Sequence, residues 1–272
     1  MLQEQYDAFC AAHPPQSVTT GGHRWIYREA GASDKSPTVL LLPGALGRPE
    51  TSFEYMAALA SDFRVIAPGY PATTRTMTEL ADGAAALLQA CGAPRAHIVG
   101  GSFGGLLAQV LLARQGERVG RIVLSDTSPP VPHRALRMCV SAALIRRLPE
   151  RVVKGVIGFG VGRYVAALSP TARKFWQGHF HEMINGLTKN EIEACATAWA
   201  EFDHTRWPAV PPHEMLVMGA ASDRAVSPRA FLHCFPHAHV HVVASPLGHA
   251  ASIGDAMAYI APIRQFLTKG MT

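Results

Sequence analysis

The sequence predicts an α/β protein with a mostly parallel sheet flanked by helices, and three observations support this prediction. Short apolar runs alternate with helical periods over the first 130 residues, which is typical of parallel strands buried on both faces. A mainly helical stretch follows at about 131–212, after which the alternation resumes. A glycine-rich turn at 100–104 lies between an apolar run and a helical stretch. We therefore expect one sheet that is interrupted by a helical insert.

The strands of the first half are predicted from short β-type runs that end at turn residues. They are residues 24–27, 38–42, 64–67, 97–99 and 121–125. A Pro-Gly pair ends the second run at 43–44 and the third at 68–69. Residues 51–59 look helical, and Thr76 with Glu79 forms a capping box that begins a further helix. This order of elements fits repeated strand–helix units.

The stretch from 131 to 212 is expected to form several helices. One predicted helix face carries four apolar residues, Leu136, Val140, Leu144 and Ile145. A second capping box at 188–191 begins a helix with apolar residues at helical spacing, and three prolines mark its exit, Pro208, Pro211 and Pro212. Two strands, at 215–218 and 240–243, and a helix near 254–267 follow. The expected domains are a core of 1–130 and 213–272 and a helical insert of 131–212.

Composition places the chain among globular proteins and excludes several other classes. Of its 272 residues, 48% are hydrophobic and 17% are charged. No apolar run approaches the ~18 residues of a membrane span, and the N-terminus has no secretory signal features. No nucleic-acid-binding consensus is present. Five scattered cysteines are expected to be buried free thiols: Cys10, Cys91, Cys139, Cys195 and Cys234. These features favour a cytoplasmic protein without a membrane span.

A basic segment lies inside the predicted insert. The chain has a formal charge of +5, and part of this excess falls between residues 134 and 154, at Arg134, Arg137, Arg146, Arg147 and Arg151. Such a segment is most often a solvated helix face. It could instead contact an anionic membrane, or bind an anionic group of a substrate. The sequence leaves these three readings open.

The turn at 100–104 carries the strongest chemical signal. It reads G-x-S-x-G and follows a strand and precedes a helix, so that Ser102 is expected on a tight turn with its hydroxyl exposed. Gly100 and Gly104 are expected because such a turn leaves no room for a Cβ. A serine hydroxyl needs a base to take its proton and a carboxylate to orient that base. Ser102 is therefore the predicted nucleophile.

The rest of the pattern resembles the α/β-hydrolase superfamily, in which the chain order is serine, acid, histidine. Asp223 lies in a loop after the strand at 215–218, and His249 lies in a Gly-His loop before the last helix. The resemblance implies that Asp223 is the acid and His249 the base. Asp126, at the end of the run at 121–125, is the alternative acid. The resemblance also implies a helical cap inserted after the sixth strand of the fold.

The resemblance further implies an oxyanion hole formed by two backbone N–H groups. Phe103, directly after Ser102, is expected to supply one. Ala45 is expected to supply the other from the loop after residues 38–42, with Leu46 as the alternative. Pro43 replaces the histidine that often precedes this glycine in the superfamily.

The resemblance implies a serine hydrolase that cleaves a carboxylic ester or thioester of a small molecule through an acyl-enzyme, without metal or organic cofactor. The predicted substrate pocket comprises Leu46, Phe159, Tyr164, Trp176 and Trp199. Three alternatives stay open. The chain is also similar to maspardin-like members, which are better known for protein binding. The same three residues could serve a proline-iminopeptidase-like enzyme, or a C–C bond hydrolase or lyase.

Overall fold

A computed structural model describes residues 2–31, 37–205 and 214–270. Its centre is an eight-stranded sheet in the order β1-β2-β4-β3-β5-β6-β7-β8. The strands are β1 (Gln16–Thr20), β2 (His23–Ala30), β3 (Thr38–Leu42), β4 (Arg64–Gly69), β5 (Ala96–Gly101), β6 (Val119–Ser125), β7 (Met215–Ala220) and β8 (His239–Val243). The pairs β1–β2 and β2–β4 are antiparallel, and the other pairs are parallel. The predicted, mostly parallel sheet is confirmed.

In the described parts of the chain, ten α-helices cover the sheet or form the insert. They are α1 (Leu2–Ala12), α2 (Phe53–Leu59), α3 (Met77–Ala90), α4 (Phe103–Gln115), α5 (Pro132–Arg147), α6 (Glu150–Tyr164), α7 (Pro170–Gly186), α8 (Lys189–His204), α9 (Ala251–Gly254) and α10 (Ala256–Thr268). Both predicted capping boxes are present, with the side chains of Thr76 and Thr188 accepting from the N–H groups of Glu79 and Glu191. Each box satisfies helix-end groups that would otherwise lack partners. Neither helix start therefore depends on tertiary contacts alone.

Two hydrophobic clusters hold the helices to the sheet. The first joins β3, β5 and β6 to α3 and α4, with Trp25, Leu40 and Phe103 fully buried. The second joins the other face to α2 and α10, and extends through Phe53 to Trp176 on α7. The insert, helices α5 to α8, follows β6 and precedes β7. A helical insertion after the sixth strand is thus confirmed, although its predicted exit at Pro208, Pro211 and Pro212 lies outside the described residues.

The structure differs from the sequence prediction at three elements, β4, α1 and β1. Strand β4 continues through Pro68 and Gly69, because Pro68 pairs only with Tyr27 of β2 at this point, and an edge position tolerates a residue without an N–H. Helix α1 and strand β1 were not predicted.

Among helices in the described parts of the chain, none is both long and apolar enough to cross a membrane.

The face of α5 that was predicted from Leu136, Val140, Leu144 and Ile145 is split. Leu136, Val140 and Leu144 are exposed, and only Ile145 points inward. A helical period of apolar residues shows which residues share a face, but not whether protein covers that face. The cysteines were expected to be buried free thiols. All five are free, but Cys139 and Cys234 are exposed and the other three are partly buried.

Candidate active site

Ser102 lies in a strained turn between β5 and α4. Its φ of 51° is in the left-handed region that non-glycine residues rarely adopt. Its N–H donates to the carbonyl oxygen of Ser125 at 2.9 Å, which ties the turn to the end of β6. A side chain at Gly100 would collide with the carbonyl of Gly104, and one at Gly104 with the carbonyl of Leu42. The expectation that a Cβ has no room at these two glycines is confirmed.

His249 lies between Ser102 and Asp223. Its Nδ1 is 2.7 Å from Asp223 Oδ2, and its Nε2 is 3.3 Å from Ser102 Oγ. An ionised carboxylate only accepts hydrogen bonds, so Nδ1 carries the proton and Nε2 can accept from the serine hydroxyl. The structure thus brings the three predicted catalytic side chains into one hydrogen-bonded chain.

The sheet register explains how residues so distant in sequence meet. Asp223 follows β7 and His249 follows β8, and these strands are parallel neighbours whose carboxyl ends share one edge. The hydroxyl of Ser222 donates to the carbonyl of Ser245 at 2.6 Å and accepts the N–H of Gly248 at 2.9 Å. These two bonds hold the acid loop against the base loop.

Asp223 and His249 shift each other's pKa. Burial alone would raise the pKa of Asp223, but hydrogen bonds from His249 and from the N–H of Ala225 hold it below its usual value. Burial alone would lower the pKa of His249. The hydrogen bond and charge of Asp223, with the charge of Asp126, outweigh this effect and raise it. The imidazolium that forms when His249 takes a proton is therefore stabilised.

Asp126 is a second carboxylate in the site, but its hydrogen-bond partners do not include His249, which bonds to Asp223 instead. It is 3% exposed and has a φ of 46°, another strained non-glycine position. Its Oδ1 accepts the hydroxyl of Tyr259 at 2.9 Å, and its Oδ2 accepts that of Ser125 at 3.2 Å. Burial raises the pKa of Asp126 to about 6. Of the two candidate acids, the structure places Asp223 against His249.

Asp126, Asp223 and His249 also offer one ligand atom each within 4.8 Å of one another. Protein donors already occupy the carboxylate oxygens, from Tyr259 and Ser125 on one side and from His249 and Ala225 on the other. This donor set suits a proton relay better than a cation, because every oxygen accepts a hydrogen bond.

The predicted oxyanion-hole residues lie on either side of Ser102. Phe103 is the first residue of α4, where backbone N–H groups have no partner within the helix. Ala45 and Leu46 form a turn closed by a 2.9 Å hydrogen bond from Gly47 to Gly44, and in the described residues neither of their N–H groups has an acceptor. Both residues line the same cavity as Ser102. The geometry leaves Ala45 and Leu46 as alternative second donors beside Phe103.

A cavity of about 310 Å³ opens at Ser102, and apolar side chains form most of its wall. The insert contributes Ile157, Val161 and Tyr164 of α6 and Phe180 of α7. The ring of Tyr164 lies 5.9 Å from the ring of His249. Helix α6 therefore roofs the site.

A second cavity of about 210 Å³ adjoins the first, because Ala45, Leu46 and Ile157 line both. Trp199 of α8 and the ring of Phe103 form part of its wall. Cys195 also lines it, and burial raises the pKa of this thiol to about 12, so it stays protonated. Two apolar chambers thus meet beside the predicted oxyanion hole.

The predicted pocket residues divide into two groups. Leu46, Tyr164 and Trp199 line a cavity, as predicted. Phe159 does not, because it is 70% exposed on the outer side of α6. Trp176 does not either, because it is buried between Phe53 and Phe180. The sequence of an amphipathic helix does not show which neighbouring element covers each of its aromatic residues.

Of the three readings left open for the basic segment, binding of an anionic substrate group finds no support in the walls of the two cavities. Arg134 forms a two-pronged ion pair with Asp203 of α8, at 2.6 and 2.7 Å, and its side chain lies 5.3 Å over the Trp199 ring. Arg146 lies 3.5 Å from Glu193. Among the described residues that line the two cavities, none is a lysine or arginine.

Solved structures with the same fold cover nearly the whole chain. A hydrolase from Pseudomonas aeruginosa PA01 matches with a TM-score of 0.78 and 20% identity, over 93% of this chain and 98% of its own. The enol-lactonase from Burkholderia xenovorans LB400 matches with a TM-score of 0.74 and 19% identity, over 93% and 100%. A thermophilic esterase from Thermogutta terrifontis matches with a TM-score of 0.72 and 19% identity, over 94% and 98%. At such identities the likeness shows the fold alone.

The sequence itself matches the model of the alpha/beta hydrolase family over residues 39–262. This range includes the turn at Ser102, the whole insert and both loops that carry Asp223 and His249. The chain therefore belongs to the alpha/beta hydrolase family, and the predicted assignment to a hydrolase of this family is confirmed.

Proposed function

We propose that the protein is a serine hydrolase that cleaves an uncharged carboxylic ester or thioester through an acyl-enzyme. The observation that carries this proposal is the hydrogen-bonded chain from Ser102 through His249 to Asp223 on a strained turn. In this reading residues 131–212 act as a cap over the site. Neither metal nor organic cofactor takes part.

The geometry gives each side chain one step. His249 Nε2 takes the proton of the Ser102 hydroxyl while the oxygen attacks the substrate carbonyl carbon. Asp223 keeps the histidine oriented and stabilises its charged form. The histidine then gives the proton to the leaving alcohol or thiol, and the serine remains acylated. Water, deprotonated by His249, attacks the acyl-enzyme and releases the acid.

The negative oxygen of each tetrahedral intermediate needs donors that are already in place. The N–H of Phe103 at the start of α4 and the N–H of Ala45, or of Leu46, are the proposed donors. The hydroxyl of Tyr70 donates to the carbonyl of Pro43 at 2.6 Å, which supports the loop that carries the second donor. Removing one such donor costs roughly a hundredfold or more in kcat in enzymes of this kind.

The side chains that line the two cavities restrict the class of substrate that can bind. A carboxylate or phosphate on the substrate would need a cation, and the described lining residues include no lysine or arginine. A free substrate amine would need a carboxylate, but Asp126 is engaged by Tyr259 and Ser125, and Glu191 by Thr188 and Arg48. This argues against a proline-iminopeptidase-like activity. Apolar groups on both sides of the ester fit the two adjoining cavities.

Two further readings have less support. Lyase or C–C bond cleavage would use the same three residues, but nothing in the walls specifically favours it. A maspardin-like binding role would not require Ser102, His249 and Asp223 to stay in hydrogen-bond contact. The structural neighbours described as an esterase and an enol-lactonase agree with ester hydrolysis.

Hydrolysis of a p-nitrophenyl ester series, beside a matched set of acyl thioesters, tests the proposal. We expect a burst of one product equivalent per chain and a loss of roughly 10⁴-fold or more in Ser102→Ala. Ser52→Ala is the matched control, because Ser52 lines the same cavity and its hydroxyl is not part of the hydrogen-bonded chain of Ser102, His249 and Asp223. An equal loss in both variants, or turnover that survives Ser102→Ala, would contradict the assignment of Ser102.

A further inference from the structure

The outer side of the insert carries a concentrated apolar surface. Among the described residues, eleven large hydrophobic side chains are exposed, and seven of them fall between residues 136 and 159. We call these seven the outer surface: Leu136, Val140, Leu144, Leu148, Val152, Val156 and Phe159. Exposed large apolar side chains that are concentrated in one segment indicate a contact with another molecule.

These side chains follow helical spacing on both helices. Leu136, Val140 and Leu144 are four residues apart on α5, so they form one stripe. Val152, Val156 and Phe159 form a second stripe on α6, at spacings of four and three residues. The opposite side of α6 carries Ile157, Val161 and Tyr164, which line the active-site cavity. Apolar residues on two opposite sides of a helix are normally covered by protein on both sides, but the residues on the outer side of α6 are exposed.

Unpaired cations flank the outer surface. Arg137 and Arg147 share the exposed side of α5, and Arg163 shares that of α6. Within the described residues none of their guanidinium groups has an acceptor, whereas Arg134 and Arg146 of the same segment are paired. Helix α5 contains no acidic residue, and the Glu150 of α6 is 2.7 Å from Lys154. The outer surface is therefore apolar, and the arginines that flank it are not balanced by carboxylates.

We propose that the outer surface docks on an anionic lipid surface. A helix that lies in the membrane interface combines apolar side chains with flanking arginines. The apolar side chains enter the boundary of the acyl region, and the arginines contact the lipid phosphates. A second copy of this chain fits poorly, because a two-fold interface would place these arginines against each other. Docking would put the roof of the cavity, α6, at the membrane surface, from which an apolar ester could enter.

Vesicle co-sedimentation tests the docking without reference to catalysis. Vesicles of equal parts phosphatidylglycerol and phosphatidylcholine are the probe, with pure phosphatidylcholine beside them. We expect wild type and Ser102→Ala to bind equally to the anionic vesicles, and binding to fall as salt rises. Failure of the proposed hydrolase function would leave this result unchanged.

Matched variants locate the surface. Arg137→Gln, Arg147→Gln and Arg163→Gln together should weaken partitioning about a hundredfold, since each cation near an anionic surface contributes about fivefold. Exposed cations elsewhere, Arg24, Arg95 and Arg229, give a control triple with the same net charge, which should lose less than about tenfold. A separate pair, Leu144→Ser with Phe159→Ser, keeps all charges and should weaken binding about tenfold.

A polarity-sensitive dye on Cys139, which is exposed on α5, should shift to the blue with vesicles, and the same dye on exposed Cys234 should not. Each dye is attached after the other cysteine is changed to serine. No binding to anionic vesicles at low salt would overturn the proposal. Equal losses in the two arginine triples, or dimerisation that buries the Cys139 dye without lipid, would overturn it as well.

Discussion

The strand-end loops of the sheet and the helices of the insert use charged side chains in opposite ways. In the loops, Asp223 and His249 form a pair that faces the cavity and reaches Ser102. In the insert, the side chain of Asp203 is fully buried against Arg134, away from the cavities. The sheet thus places the reactive groups, while the insert supplies apolar walls and, through its pairs, its own stability. Substitutions in the loops are therefore expected to act on the chemistry, and substitutions at the ion pairs of the insert on its stability.

The largest expected effect is in the loops. Asp223→Asn should lower kcat by about 10³- to 10⁴-fold, because His249 loses the acceptor that sets its tautomer. Asp126→Asn should keep kcat within about tenfold, because Tyr259 and Ser125 and not His249 hold this carboxylate. Steady-state kinetics at pH 8 compares the two variants. Equal losses would mean that the two acids share the role of orienting His249.

A pH profile sharpens the same comparison. Activity requires neutral His249, whose pKa is raised, so kcat/KM should fall as pH drops through a pKa higher than that of an ordinary histidine. The charge of Asp126 contributes to that raise, and Asp126→Asn should therefore move the acid limb to lower pH. An unmoved limb would show that Asp126 does not act on His249 electrostatically.

The buried pair of the insert should dominate its stability. Arg134→Met leaves the buried Asp203 carboxylate without a cation, with the N–H of Val131 still donating to it, and we expect the free energy of unfolding to fall by about 3–5 kcal/mol. Arg146→Met is the matched control, because Arg146 is largely exposed and its pair should contribute only about 0–1 kcal/mol. Urea unfolding measures both, and similar losses would contradict the distinction between buried and exposed pairs.

Asp126 should also reduce stability at neutral pH. Its pKa of about 6 exceeds the ~3.9 of an unfolded aspartate, so between about pH 4 and 6 the folded protein binds this proton more tightly. The contribution of this group to stability therefore becomes less favourable as pH rises through that window. Asp126→Asn should raise the free energy of unfolding by about 2 kcal/mol at pH 8, with the gain vanishing near pH 4. A gain of the same size at both pH values would rule out this cause.

The smallest expected effect is in α6. At Gly158 an added Cβ would meet nothing within 4 Å, and glycine inside a helix is less stable than alanine by about 0.5–1 kcal/mol. Gly158→Ala should therefore stabilise the protein by about this amount in thermal unfolding. Gly104→Ala is the opposing control, because its Cβ would collide with the carbonyl of Leu42 and should destabilise the turn.

The sequence predicted the sheet and the chemistry of its loops far better than it predicted the insert. The turn around Ser102 is local, since Gly100 is required by backbone atoms four and five residues away, and Gly104 by the backbone at the end of the neighbouring strand β3. Asp223 and His249 could be located because each follows a strand. The hydrogen bond from Tyr259 to Asp126 had no such signal, since Tyr259 is simply one apolar position of α10.

For the insert, sequence patterns were insufficient to predict which side chains face the cavities, the core or solvent. Helical spacing identified stripes on α5 and α8, but whether a stripe faces protein or solvent depends on the angle at which helices pack. Phe159 and Trp176 were therefore both assigned to the pocket, although one is exposed and the other belongs to the core. Arg134 was counted as a free cation because its partner Asp203 lies 69 positions away in the sequence.

The central claim is that Ser102 is an activated nucleophile, and labelling with a fluorophosphonate followed by peptide mass spectrometry tests it most directly. We predict one adduct per chain, on Ser102, formed by wild type and abolished in His249→Ala. No adduct on a folded wild-type protein, or an adduct that forms equally fast in His249→Ala, would contradict the claim.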